Sequence, residues 1–143
     1  MGTVRHILQK KGHTVLSIGP STTVYYALEC MVEQNVGALL VMDGERFAGI
    51  FTERDYARKI ILRGKASKET QVREIMSEHP VTVTPDDTVE NCMNLMTQKY
   101  IRHLPVLEDG KLVGLVSIGD IVKYIIEDQK FIIDNLEHYI TGH

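Results

Sequence analysis

The chain has 143 residues, 43% of them apolar and 24% charged, with a net charge of -3. That length supports one core or two small halves sharing one, and the composition is that of a globular protein. The weak negative charge does not mark the chain as a nucleic-acid binder, its longest apolar runs fall far short of a membrane span, and Cys30 and Cys92, with no CxxC, make no disulfide framework.

In chain order, Val4-Arg5-His6-Ile7-Leu8 reads as a short helix, and Val15 to Ile18 as a short strand broken by Pro20. Val24, Ala27, Leu28, Met31 and Val32 fall at i, i+3, i+4, i+7 and i+8, which predicts a helix over 23–34. Ala38 to Met42 is continuously apolar, as suits a strand buried on both faces. Asp43-Gly44-Glu45 predicts a turn, and Phe47 to Phe51 its partner strand. A helix starts near Thr52 and ends near Arg63-Gly64, and the polar stretch Gly64 to Thr70 is a linker.

The same order then returns. Val72 to Met76 reads as a short helix, Val81 to Val83 as a strand broken by Pro85, and Val89, Cys92, Met93 and Met96 predict a helix over 88–99. Strands at Leu104–Leu107 and Leu112–Val116 flank Asp109-Gly110, a hairpin signal. The last helix runs long, from Ser117 to about Ile140. Residues Ser17–Tyr56 and Thr82–Ile121 align without a gap at a spacing of 65, with Pro20 on Pro85, Met31 on Met96, Gly49 on Gly114 and Asp55 on Asp120. An internal repeat of this kind decides the architecture. It divides the chain into repeat 1 (1–63), a linker (64–71), repeat 2 (72–126) and a helical extension (127–143). Each copy reads strand, helix, strand, strand, helix, and the halves are expected to bury apolar faces against each other, leaving a cleft.

Two matched strand ends carry the strongest local signal. Gly49-Ile50-Phe51-Thr52-Glu53-Arg54-Asp55 and Gly114-Leu115-Val116-Ser117-Ile118-Gly119-Asp120 both read glycine, two apolar residues, a hydroxyl, two variable residues, aspartate, then helix. Two readings stand. A hydroxyl three residues before an acid is a capping box, although the box prefers Glu or Gln. Alternatively, a short aspartate accepts hydrogen bonds from a diol, and the helix N-terminus offers backbone N–H groups to an anion, which together fit a ribose phosphate. Arg102-His103, just before the strand at Leu104, adds a phosphate-binding cation where repeat 1 has Gly37-Ala38. Arg54 shows the reverse asymmetry, since its counterpart is Gly119, so two inequivalent clefts are expected.

These stretches, with Val36-Gly37-Ala38-Leu39-Leu40-Val41 and Ile101-Arg102-His103-Leu104-Pro105-Val106, resemble the cystathionine-β-synthase (CBS) domain, and the pair resembles a Bateman module, over roughly residues 4–126. The layout is similar to stand-alone CBS-pair proteins of bacteria and plant organelles. The resemblance implies an α+β (mixed α/β) fold of two tandem βαββα repeats related by pseudo-two-fold symmetry. It implies a regulatory module that binds AMP or a related adenine nucleotide (ATP, ADP, NAD(H)) between the repeats and requires no metal. By position, Asp55 and Asp120 would hold ribose hydroxyls, and Thr52 or Ser117 would contact ribose or phosphate. The Asp120 site would take adenine against Val36 and the backbone near Lys11 to Leu16; the Asp55 site would use Ile101 and the backbone near Ser77 to Val81. Arg102 and His103 would lie near the phosphates, with Arg54 at the first junction.

The remaining features read plainly. His6, His13, His79, His103, His138 and His143 show no metal-ligand spacing. Met31, Met93 and Met96 are core residues by spacing, and Arg58-Lys59 with Lys65 to Lys68 is a solvated face and linker. No nucleophile stands with a base and no P-loop occurs, so an enzyme is not expected. The N-terminal residues have no apolar signal core, which with the free cysteines suggests a cytoplasmic location, or an organelle matrix. The last helix is more apolar than a lone surface helix needs, which predicts a homodimer. A regulated protein partner is expected; nucleic acid and membrane are not. The competing expectation is a structural interaction module whose caps only look like a ligand site.

Overall fold

The computed structural model describes residues 2–141; His143 and the outermost ends of the predicted 1–63 and 127–143 segments lie outside the described residues. Contacts divide the chain into two units, one formed by Thr14–Val81 with Asp109–Leu112, the other by the residues up to His13, Thr82–Glu108 and Val113 onward.

In the Thr14–Val81 unit, β1 (Ser17–Ile18) pairs in parallel with β2 (Ala38–Asp43), Ser17 opposite Leu40, and antiparallel β3 (Arg46–Thr52) completes a three-stranded sheet in the order β1-β2-β3. Helix α2 (Val24–Gln34) starts at Thr23, whose hydroxyl accepts from the Tyr26 amide at 3.2 Å, one of the donors a helix start leaves orphaned. It stops at Asn35, which takes the left-handed conformation at φ 53°. Its apolar stripe of Val24, Ala27 and Met31 buries against Leu39, Val41 and Phe51 of the sheet and against Ile60, Val72 and Ile75. The helix predicted from Thr52 to Arg63-Gly64 is a four-residue α-helix, α3 (Glu53–Tyr56), passing into a π-helical turn over Ala57–Ile61. The segment predicted as a helix at Val72–Met76 is a single 3-10 turn, Val72–Glu74.

In the other unit, α1 (Val4–Lys11), α4 (Val89–Lys99), β4 (His103–Glu108), β5 (Lys111–Ser117) from Val113 onward and α5 (Ile118–Thr141) surround the buried Val4, Leu8, Val89, Cys92, Leu104, Val106, Val116 and Ile121. The β4–β5 hairpin turns through Asp109 and Gly110, both at positive φ (52° and 76°), the geometry that lets a two-residue loop follow the strand twist. The strand predicted at Val81–Val83 shrinks to one parallel bridge, Val83 to Val106. Repeat 1 shows why. There the Leu40 amide donates to the Leu16 carbonyl at 3.0 Å, whereas the matching position is Pro105, which has no N–H.

The opening segment of each repeat serves the other copy's fold. Val4 and Arg5 amides donate to the carbonyls of Asp87 (2.9 Å) and Pro85 (2.8 Å), while Val72 and Arg73 amides donate to those of Thr22 (2.8 Å) and Pro20 (3.0 Å). Each unit is thus assembled from segments distant in sequence.

Cys92 is fully buried, and burial, with a smaller contribution from Asp87, pushes its thiol up to about 11. A thiol this far above neutral pH carries almost no thiolate. Alkylation at neutral pH is therefore expected to spare Cys92 until denaturant is added, while the half-buried Cys30 reacts first; peptide mass spectrometry distinguishes the two.

Candidate functional site

At the first junction, β3 delivers Thr52 directly to the start of α3. The Thr52 hydroxyl accepts from the Asp55 amide at 3.2 Å, and Asp55 Oδ2 accepts from the Thr52 amide at 3.0 Å and from the Thr52 hydroxyl at 3.1 Å. Asp55 Oδ1 accepts from the Ser77 hydroxyl at 3.2 Å and lies 3.4 Å from Lys59 Nζ. Lys59 also donates to the Ile75 carbonyl at 2.8 Å. The capping box is complete, and Asp55 is buried inside it.

The second junction repeats the cap with a different neighbour. The Ser117 hydroxyl accepts from the Asp120 amide at 3.2 Å, and Asp120 Oδ2 accepts from the Ser117 amide at 2.8 Å and from Lys11 Nζ at 2.6 Å. Lys11 also donates to the Leu115 carbonyl at 2.7 Å. In place of the Ser77 hydroxyl of the first junction stands an ammonium carried by α1. The Asp120 side chain keeps 21% of its surface exposed against 10% for Asp55. A cavity of about 350 Å³ opens beside it, lined by Lys10, Lys11, Lys123, Asp120, Tyr124 and Glu127 among others. That volume lies at the small end of ligand pockets, and three ammonium groups against two carboxylates favour an anion.

The expectation of free amides at these helix starts needs correction. The Thr52 and Asp55 amides are taken by the cap, and the Glu53 amide donates to the Gly37 carbonyl at 3.2 Å. Likewise the Ser117 and Asp120 amides are taken, and the Ile118 amide donates to the Arg102 carbonyl at 2.9 Å. The residue just before β2 and the one just before β4 thus each tie down the junction of their own unit, and an anion must rely on side-chain cations more than on main-chain donors.

Thr52, Arg54, Asp55 and Val36 fall in the Thr14–Val81 unit, where Val36 is half-buried against the core and Arg54 is exposed on α3. Ile101, Arg102, His103, Ser117 and Asp120 fall in the other unit. There Ile101 is half-buried, Arg102 is exposed and His103 opens β4. Sequence reasoning passed over three side chains at the junctions: Lys59, Ser77 and Lys11. Lys59 was legible as the i+4 partner of Asp55. Ser77 and the Lys11 ammonium arrive through tertiary packing, and no local pattern announces them. Among the described residues, no cluster of three or more His, Cys, Asp or Glu is placed to hold a metal ion, and no helix is long and apolar enough to cross a membrane.

Burial pushes the Asp120 carboxyl upward, but the Lys11 ammonium and the Ser117 amide outweigh it and hold the group below its ordinary value of 3.8. A folded value below the unfolded one means a stabilising contribution present above about pH 4 and lost as pH falls through the folded value. Lys11→Met is therefore expected to unfold more easily than the parent at pH 7 by about 1 kcal/mol. The gap should narrow as pH drops below 4. Urea titrations at the two pH values check it, and an unchanged gap in acid would assign Lys11 to packing alone.

The CBS domain family profile matches residues 4–62 and 72–127. A mitochondrial CBS domain-containing protein of Arabidopsis thaliana, CBSX3, is 41% identical over 149 residues, covering 98% of this chain and 72% of its own. A CBS domain solved by crystallography is 53% identical with a TM-score of 0.83, covering 87% of this chain and 97% of that one. A hexameric CBS-CP12 protein from bloom-forming cyanobacteria is 32% identical with a TM-score of 0.73, over 84% of this chain and 66% of that one. Two copies of the mixed α/β repeat, each ending in a hydroxyl-x-x-aspartate junction, define a CBS-domain pair. This chain belongs to the CBS-domain family, whose members are regulatory modules that often bind adenine nucleotides.

Proposed function

We propose that this protein is a regulatory adenine-nucleotide sensor, taking AMP, ADP, ATP or NAD(H) at the Ser117–Asp120 junction first and at the Thr52–Asp55 junction more weakly. The observation that carries this reading is the partly exposed Asp120 beside a cavity lined by three lysines. The carboxylate accepts from the ribose hydroxyls, displacing or sharing Lys11, and Lys11, Lys10 or Lys123 meets the phosphates as a point charge. Arg102 contributes further positive charge on the phosphate side, and the His103 ring adds a hydrogen-bonding nitrogen. No metal is needed, because the ammonium groups neutralise the phosphate.

The role is regulatory rather than catalytic. Nucleotide shifts the balance between two arrangements of the protein by its differential affinity for them, and a protein partner reads the result. The protein acts in a reducing compartment, the cytoplasm or an organelle matrix (its Arabidopsis relative is mitochondrial), and it self-associates through α5.

Thermal-shift titration with AMP, ADP, ATP and NADH tests the reading. At one hundred times the dissociation constant, a ligand should add about 2.7 kcal/mol of stability. No shift with any of the four rejects the proposal, and steady release of a nucleotide product would reassign the protein to catalysis. A second reading, a structural module without a ligand, is favoured by one observation: the Asp55 carboxylate is already enclosed by its own cap.

A further inference from the structure

A carboxylate offers about four lone-pair positions, two on each oxygen. At Asp120 both accepted hydrogen bonds fall on Oδ2, from the Ser117 amide at 2.8 Å and from Lys11 Nζ at 2.6 Å, so Oδ2 is full. Among the described residues no hydrogen bond falls on Oδ1. A vicinal diol that grips a carboxylate side-on donates one hydroxyl to each oxygen. Oδ1 can take the first hydroxyl, but the second needs a place on Oδ2. The Ser117 amide cannot yield its place, because it belongs to the cap where β5 meets α5. Lys11 can. It is the last residue of α1, its side chain is 34% exposed, and its bond to the Leu115 carbonyl at 2.7 Å keeps it beside the site when it leaves Asp120.

We propose that Lys11 is an exchangeable counterion: the sugar of a ligand takes its place on Asp120, and Lys11 turns to the phosphate of the same ligand. The site thereby selects phosphorylated nucleosides over bare ones. This rests on the nucleotide reading above and adds a rule of selection to it. A bare nucleoside would take the carboxylate and leave the Lys11 ammonium without a partner charge. A nucleotide brings the replacement anion in the same event. Of the other cavity lysines, Lys10 is already paired with Glu127 at 3.1 Å, whereas Lys123 forms no salt bridge among the described residues. A phosphate monoester carries about -1.5 to -2 at pH 7, close to the charge of Lys11 and Lys123 together.

The Thr52–Asp55 junction has no such exchange. Asp55 Oδ2 is filled by the Thr52 amide and hydroxyl, and Oδ1 takes the Ser77 hydroxyl. A diol there would displace neutral hydroxyls, and a phosphate does nothing to repair that loss. Selection by charge exchange therefore belongs to the Asp120 junction.

Isothermal titration calorimetry with AMP, ADP, ATP, NADH and adenosine tests this on the parent, Lys11→Met and Lys11→Arg. The parent should bind its preferred nucleotide at least about tenfold more tightly than adenosine. Lys11→Met should weaken that nucleotide about tenfold and tighten adenosine about threefold, because Oδ2 is then vacant from the start. Lys11→Arg keeps the charge and should keep most of the preference. Opposite signs for the two ligands serve as the folding control, since partial unfolding weakens both alike. A parent that binds none of the four nucleotides overturns this inference together with the nucleotide reading. A parent that binds adenosine as tightly as its nucleotide, or nucleotide binding unchanged by Lys11→Met, overturns the exchange alone. So does a Lys11→Met protein in which nucleotide weakens while adenosine stays the same or weakens with it, which would make Lys11 a fixed contact.

Discussion

Asp55→Ala is expected to destabilise the protein by about 3 kcal/mol, with or without nucleotide. The carboxylate satisfies the Thr52 amide, the Thr52 hydroxyl and the Ser77 hydroxyl and faces Lys59, all in a buried setting. Removing it leaves donors without acceptors, and a buried unsatisfied donor costs more than the net worth of the bond it lost. It also releases the end of β3 from α3. Asp120→Ala removes a cap of the same design from a wetter site, and the expected loss is about 1 kcal/mol. There the change should appear in the ligand response: the nucleotide-induced shift of the unfolding midpoint should fall for Asp120→Ala far more than for Asp55→Ala. Urea unfolding of both variants, each with and without AMP, separates the two roles. Equal losses of stability, with the ligand shift intact in both, would mean that both aspartates only cap helices.

The next largest effect is expected at a glycine. In the sequence Gly49 and Gly114 are the same position of the repeat, and nothing local separates them. In the structure a Cβ at Gly49 would strike the Ser77 carbonyl oxygen and approach the Ser77 carbonyl carbon to 3.2 Å and the Glu78 Cα to 3.3 Å. Those atoms are main chain, and they are held there because Ile50 and Ser77 exchange both amide bonds, at 3.0 and 2.9 Å. Neither β3 nor the Ser77 segment can give way without breaking the bridge that also carries Ser77 to Asp55. At Gly114 the added methyl would meet the δ-carbons of Leu8, at 2.8 and 3.0 Å, the far end of a side chain with other rotamers. Gly49→Ala should therefore cost about 3 kcal/mol and Gly114→Ala about 1, both read from denaturant midpoints. A smaller loss at Gly49 than at Gly114 would show that the Ser77 bridge is soft.

Both predictions turn on where repeat symmetry fails. Most elements were legible because their signals are local. The i, i+3, i+4 stripes put α2 and α4 within one residue of their predicted starts, and Asp109-Gly110 marked the hairpin by its tolerance for positive φ. Errors arose where a bond needed a distant partner. Val81–Val83 has a strand's composition, yet Pro105 denies it the donor that Leu40 gives Leu16, leaving one bridge. The helix after Thr52 has helical composition, yet it opens into a π-turn after four residues.

For the candidate site, the residue types and their spacing were readable: a hydroxyl and an aspartate three residues on, twice, each where a strand meets a helix. That pattern, together with the doubled order of elements and the stretches Val36–Val41 and Ile101–Val106, carried the family resemblance, the mixed α/β repeat and the position of both junctions. Only the tertiary structure decided that the two are unlike, with Asp55 enclosed by Ser77 and Lys59 and Asp120 half-open and paired with Lys11. The reason is physical. A chain segment dictates its own torsions and its own caps within a few residues. Lys59 is local to Asp55, but the Ser77 hydroxyl and the Lys11 ammonium that make the two carboxylates differ come from segments 22 and 109 residues away, and their arrival depends on packing that no local period encodes.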